Sequence, residues 1–452
     1  MNAIELLTPI LEGGIYNTNF FNGRLLTAED LRLEQEANSK QHMQIGQAIG
    51  EGVAYGMEVS IVSDGSNGNP PIVHITKGLA LNRRGKALVL PEDTDVALYT
   101  EKKTVVTGTG HFAECELPEL TATPTGIGTY ILVAAPASGY DGRAPVSCSD
   151  KKERTIECGR RYSIQGVRFR LVKLDIDNPA VVVGPIGNEL RLLIKKEYKP
   201  SLSKFRNLLA FLCLNCSKTA DLTKDLLHNL TSSKTAQGEN PLDILRSQGF
   251  LTYCDIPLAL IYWPDNIIRF IDMWSVRRRI NPLFSIFNNV TFPVTEKQIV
   301  EAEASFFQFQ IQIAELTNTN ITQSQLEQIE AGNYFRYLPA VGVIPERTVT
   351  KKGLDYLKFF NGLKFRNPVF INGAQVQSLF HSSLFYEPID VQSKELIWLY
   401  RVRENRQQLA GITLTQQPYL IFANGHILFK GDAQYNLARW NYSNYGPGLA
   451  AR

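Results

Sequence analysis

"TYILVAAP", residues 129–136, is an apolar run closed by a proline. At eight residues it lies far below the roughly 18 needed to span a bilayer, and it reads as a buried strand. Short strand patterns surround it. "MEVSIV" (57–62) alternates, and "DGSNGNPP" (64–71) is loop chemistry. "IVHITKG" (72–78), "KALVL" (86–90) and "DVALY" (95–99) read as strands parted by "LNRRG" and "PED" turns. Downstream, "GVRFRLVKL" (166–174) sets Val167, Phe169 and Leu171 on one face and Arg168 and Arg170 on the other. Residues 53–198 are therefore expected to form a β-rich barrel or sandwich, with 137–163 as a loop insertion.

Upstream, "FFNGRLLTAEDLRLEQ" (20–35) carries aromatic residues among Asn and Gly and then a helix start. Thr27 is a hydroxyl N-cap, followed by acids at Glu29 and Asp30 where they meet the positive end of the helix dipole. The helix is expected to run to about Ile49 and stop at Gly50. Its apolar positions are few, and a long helix that is polar nearly all round bridges or lies on a partner rather than forming a core.

Beyond residue 198, "SLSKFRNLLAFLCLNC" (201–216), "TADLTKDLLHNL" (219–230) and "NPLDILRSQGF" (240–250) have helical spacing. A strand at 256–263 and the segment "NIIRFIDMWSVRRRI" (266–280) follow. "TEKQIVEAEASFFQFQIQIAEL" (295–316) is a helix with Thr295 and Gln298 as a capping box and an apolar face of Ile299, Ala302, Phe306 and Ile313. "ELIWLYRVREN" (395–405) is strand-like, and "YLIFANGHILFKG" (419–431) joins two apolar runs by Asn424-Gly425, a hairpin signal. The expected class is α+β and multidomain. It comprises an N-terminal arm and long polar helix (1–52), the β-rich domain (53–198), a mainly helical region (199–345) and a mixed α/β C-terminal region (346–452).

The 452 residues suit two or three packing units, and a net charge of +3 argues against a nucleic-acid binder. Six cysteines in so long a chain are not a disulfide framework, and "MNAIELLTPILEGG" has no basic residue before its apolar ones. Synthesis and folding in a reducing cytoplasm are expected. Cys213 and Cys216 form a lone CxxC without a second ligand pair and read as buried helix cysteines. The six histidines are scattered, and no nucleophile elbow, P-loop or dinucleotide fingerprint occurs. The pairs Glu29/Asp30 and Asp93/Asp95 would serve acid–base work only in a pocket that shifts their pKa values. No catalytic residue, metal or cofactor is expected, which favours a scaffold or assembly protein over an enzyme. Arg277, Arg278 and Arg279 beside Trp274 read either as cations at a helix C-terminus or as an interface anchor. Trp440 in the aromatic C-terminal stretch is a further candidate contact.

Three blocks resemble a pattern in structural proteins of phage-tail-like contractile injection systems. Phe21, Gly23, Leu25, Leu26, Asp30, Leu31 and Gln35 match the first block. Gly50, Gly52, Val53, Gly56, Glu58 and Val59 match the second, with Met57 where Leu is usual. Gly78, Ala80 and Gly85 match the third, with Asn82 where Asp is common. The resemblance covers roughly residues 18–100. It implies a non-catalytic part of a particle, in or around the baseplate. Its partners would be other baseplate, sheath or cap proteins and copies of itself in a symmetric ring, with no nucleic acid and no membrane insertion. Such a particle is cytoplasmic, membrane-anchored or released. A cap or cap-adaptor protein at the other end of the sheath is the second structural reading, and a carbohydrate- or receptor-binding tail protein the rival of another class. The expected docking anchors are Phe20, Phe21, Leu25 and Leu26, with Trp274, Arg277, Arg278 and Trp440 as a second set.

Overall fold

The computed structural model describes residues 15–98, 128–146, 157–178, 182, 184–194, 199–214, 241–280, 296–318, 320–348, 351–383, 386–393, 395–403 and 418–424. The architecture is α+β, with several mostly antiparallel sheets. Helix α1 (Ala28–Ile49) has the expected bounds. The Thr27 hydroxyl accepts from the Asp30 N–H at 3.1 Å, and the Asp30 carboxylate accepts from the Thr27 N–H at 2.9 Å, a reciprocal capping box. Only Ala37 and Gly46 of its 22 residues are buried. A helix of that length is a rod of about 33 Å.

Six short strands follow: β1 (Gly52–Gly56), β2 (Val59–Ser63), β3 (Ile72–Ile75), β4 (Gly78–Leu81), β5 (Ala87–Leu90) and β6 (Thr94–Ala97). They form two three-stranded antiparallel sheets, ordered β1-β4-β5 and β2-β3-β6. Helix α1 meets this layer at its last turns, where a Cβ on Gly46 would overlap the Gly85 carbonyl and one on Gly85 would overlap the Met43 carbonyl. Glycine on both sides lets the helix backbone rest directly on the β4–β5 turn. That turn is organised by buried Asn82, whose Oδ1 accepts from the Arg84 and Lys86 N–H groups at 3.1 and 2.9 Å.

Strands β7 (Gly128–Val146) and β8 (Glu157–Leu174) precede helices α2 (Gly184–Ile194), α3 (Lys199–Cys213) and α4 (Pro241–Ser247). Then come β9 (Ile256–Trp263) and β10 (Phe270–Asp272). The antiparallel sheet β10-β9-β7-β8 is the middle layer. Tyr130, Leu132 and Ala134 of β7 join a core with Val53, Val73, Ile75, Ala80 and Leu88 of the small sheets. Ile131 and Val133 join a second core with Leu190, Phe205, Leu208, Leu209 and Leu245 of the helices. Period-two alternation sends successive side chains to opposite faces, so a strand covered on both reads as a continuous apolar run. That is the physical content of "TYILVAAP".

Of the expected alternatives, barrel or sandwich, no closed barrel occurs among the described residues; the β-rich part is layered. Three further features differ from expectation. The described residues of 137–163 are strand rather than loop, because β7 and β8 stay paired as far as Val146 opposite Glu157. The segment 266–280 is not helical: Phe270 to Asp272 pair with β9, and turns follow. Finally, the central sheet crosses residue 198, since β9 lies between β7 and β10. Arg170, placed opposite Phe169 as expected, is not solvated; its Nε donates to Asp255 Oδ1 at 3.1 Å, and both side chains are buried.

The second half begins with α5 (Glu296–Leu316), then α6 (Gln323–Leu326), α7 (Ala331–Tyr334), β11 (Tyr337–Leu338) and β12 (Val341–Pro345). The elements α8 (Tyr356–Phe359), β13 (Lys364–Phe365), β14 (Val369–Ile371), α9 (Gly373–Ser383), β15 (Ile389–Asp390), β16 (Leu396–Val402) and β17 (Tyr419–Ala423) complete it. A sheet ordered β12-β17-β16-β13, with β14 also beside β16, packs on α5. Phe309, Phe335, Phe359, Phe360 and Phe422 build its aromatic core. The second strand of the hairpin expected at 419–431 lies outside the described residues. Both edges of β17 are occupied, by β12 and by β16, which leaves no edge along 420–423 for a hairpin partner. The Thr295/Gln298 capping box, the Ile299 side chain and the helix at 219–230 also lie outside the described residues.

Helix α3 joins the halves. Arg206 reaches Asp272 of β10 at 2.6 Å and Glu315 of α5 at 2.6 Å. Asn207 accepts from the N–H groups of Arg336 and Tyr337, each at 2.9 Å, and Phe211 stacks on Tyr337 at 3.6 Å between centroids.

Candidate docking surface

Residues 15–26 run without regular secondary structure into α1. Polar bonds fold this arm back on the helix. The Thr18 hydroxyl donates to the Asp30 carbonyl at 3.0 Å, the Arg24 N–H bonds the Phe21 carbonyl at 3.2 Å, and Arg24 Nη1 donates to the Asn19 carbonyl at 2.7 Å. The other Arg24 nitrogen pairs with the Asp30 carboxylate. The bonds from Thr27, and then the Arg24 charge, hold the Asp30 carboxyl below the usual range. Asp30 is thus consumed by the cap and the arm, which is structural chemistry and not acid–base chemistry.

The apolar side chains of the arm are exposed, with the Arg24 guanidinium 5.9 Å over the Phe21 ring. Phe20, Phe21, Leu25 and Leu26 are 55%, 63%, 89% and 52% exposed, and Tyr16 is more exposed than either phenylalanine. Leu31, Leu33, Ile45 and Ile49 extend the exposed apolar surface along α1. All four residues of the first set are exposed on the segment that leads into α1.

Of the second set, Arg277 is buried and Trp274 and Arg278 are half-buried. Trp274 stacks on Phe307 at 4.6 Å, and Arg277 lies 5.7 Å over the indole. The Arg277 guanidinium, 6% exposed, donates to the Met57 and Gly56 carbonyls at 2.8 and 2.6 Å. Burial is the largest influence on it and pushes its pKa down to about 10. Arg278 donates to the carbonyls of Arg277, Trp274 and Ser275 and, from α3, of Cys213. The helix-terminus role does not hold. These side chains satisfy backbone carbonyls where β1 meets residues 278–280, and no helix end is present. Trp440 lies outside the described residues.

Reactive groups do not converge among the described residues. No group of three His, Cys, Asp or Glu side chains there could hold a metal ion. Cys213 is buried at the end of α3, and burial pushes its thiol up to about 12. Cys254 is disulfide-bonded, a single link that the expected absence of a disulfide framework does not address. His74 Nδ1 lies 2.6 Å from an Asp95 carboxylate oxygen on a solvent-facing strand surface, where such a contact is weak. A cavity of about 610 Å³ opens between α5 and the β12/β17 end, lined by Ile313, Leu326, Val343, Lys352 and Tyr419 among others, with no acid or histidine. No described helix is long and apolar enough to cross a membrane.

One feature of this surface was missed in the sequence. Beyond Ala137, β7 and β8 continue as a two-stranded ribbon whose residues 138–142 and 161–166 are exposed. The alternation of Tyr162 and Ile164 was its available signal. Tyr140 pairs with Ser163 and Tyr162 with Asp141, so the two tyrosines lie on opposite faces and form no shared stacking platform for a sugar. No family model matches the chain, and no curated protein matches it.

Proposed function

We propose that the chain is a structural component of a contractile injection particle, set in or around the baseplate, where it holds neighbouring subunits in register. The observation that carries this reading is the arm on α1: polar bonds fix its backbone while Phe20, Phe21, Leu25 and Leu26 face outward. Aromatic and aliphatic side chains held on a pinned backbone lose little further freedom on docking, which favours their use as anchors. The resemblance of residues 18–100 to particle proteins supplies the context. Four of its six matched glycines, Gly52, Gly56, Gly78 and Gly85, lie at close backbone approaches, where a Cβ on Gly56 would overlap the Lys77 carbonyl and Gly85 seats α1; nothing lies within 4 Å of a Cβ on Gly23 or Gly50.

The test is a chain carrying F20S, F21S, L25S and L26S, expressed in a host that makes the particle. It should keep its circular dichroism spectrum and disappear from purified particles by mass spectrometry. Incorporation at wild-type stoichiometry would sink the reading, as would absence of the wild-type chain from particles. Imaging a labelled copy distinguishes the baseplate end from the cap.

A further inference from the structure

We propose that two copies of this chain pair edge to edge through the outer half of β8, antiparallel and two-fold symmetric about Ser163. This stands apart from the injection-particle reading, because the pairing needs only the chain itself.

Strand β9 borders β7 only as far as Ala134 opposite Ile256, and β8 is the terminal strand of its sheet. Among the described residues, the β7–β8 ribbon beyond Ala137 therefore pairs with no further strand, and its residues 138–142 and 161–166 are exposed on both faces. A two-stranded ribbon alone in water is marginally stable, and an open edge is a template for another strand. The β7 edge carries Gly139 and Gly142, which weaken a strand, whereas 160–165 of β8 reads Arg-Arg-Tyr-Ser-Ile-Gln.

That β8 sequence is self-complementary. Tyr162 and Ile164, 53% and 51% exposed, lie two residues apart on one face. A two-fold axis at Ser163 sets each Tyr162 opposite Ile164 of the second copy, an aromatic to β-branched pair made twice. Arg161 then meets Gln165, so that cation faces no like charge. Moving the axis to Arg161 would oppose that cation to itself, which disfavours the alternative register. An interface that repeats the same patch on both copies is the isologous contact of a closed dimer.

The experiment uses the purified full-length chain. Sedimentation velocity should show a concentration-dependent dimer. The Y162S/I164S double variant should keep its circular dichroism and weaken dimerisation by about tenfold. Under mild oxidation Ser163→Cys, on the axis, should form covalent dimers about tenfold faster than Ser138→Cys on the β7 edge, because directly opposed Cβ atoms lie about 5 Å apart. A wild-type chain that stays monomeric throughout the micromolar range overturns the inference. Equal cross-linking at residues 163 and 138, or a Y162S/I164S chain that associates like wild type, does so as well. Protection of the ribbon only inside particles would assign it to another protein and equally overturn the self-pairing, while leaving the particle reading intact.

Discussion

At Asp30, hydrogen bonds from Thr27 and the charge of Arg24 keep the carboxylate ionised below its ordinary pKa of about 3.9. A carboxyl whose folded pKa is depressed stabilises the folded form fully above its unfolded value, and loses that contribution as pH falls through the folded value. The arm and the first turn of α1 should therefore loosen below about pH 4, before the buried cores open. Amide exchange at residues 18–32 against pH would show it; a flat profile down to pH 2 would contradict it. Gly46→Val should cost about 1–3 kcal/mol in a denaturant titration, since the new side chain meets the Gly85 backbone. Phe422→Ala, deep in an aromatic core, should cost about 3–5 kcal/mol, whereas Phe20→Ser should stay within about 0.5 kcal/mol. That contrast separates a residue that folds the chain from one that waits for a partner. At this scale Thr27 was legible in sequence because capping is local. Arg277 was not, because its carbonyl acceptors at Gly56 and Met57 lie about 220 positions away along the chain.

Among the elements, α1 was read with its bounds intact: Thr27, Asp30 and Gly50 act within a few residues, and the thin apolar stripe foretold the slight burial. A helix with so little buried surface should open locally at low cost. Amides of the N-terminal half of α1 should exchange orders of magnitude faster than those of β9 or β17 in the free chain; equal protection would mean the helix is buried in a way the fold does not show. The segment 137–163 read as loop because Ser, Gly, Asp and Pro recur in it, yet in its described residues ladder bonds inherited from the buried root carry the pairing outward. Likewise Asn424-Gly425 gave a strong turn signal, but whether the strand before it has a free edge is decided by β12 and β16, which come from elsewhere in the chain. Local chemistry names an element; its neighbours are chosen by topology.

For the whole molecule, the two halves meet at α3, and the Arg206 guanidinium is the bolt. Burial lowers its pKa, but Asp272 and Glu315 outweigh that and hold it above its ordinary value. Arg206→Ala leaves Asp272 buried without its cation, which should cost about 3–5 kcal/mol and split one unfolding transition into two. A single transition with unchanged midpoint would refute the bolt. A division at residue 198 could not be tested by composition, because a strand at 256–263 joins the sheet begun at 128 only in three dimensions. The central claim concerns the outward face of the arm, and hydroxyl-radical footprinting tests it most directly. Phe20, Phe21, Leu25 and Leu26 should oxidise readily in the free chain and be protected in purified particles, while Phe309 and Phe422 stay protected in both. Equal oxidation of the four arm residues in free chain and particle, with the chain demonstrably present, would contradict the account.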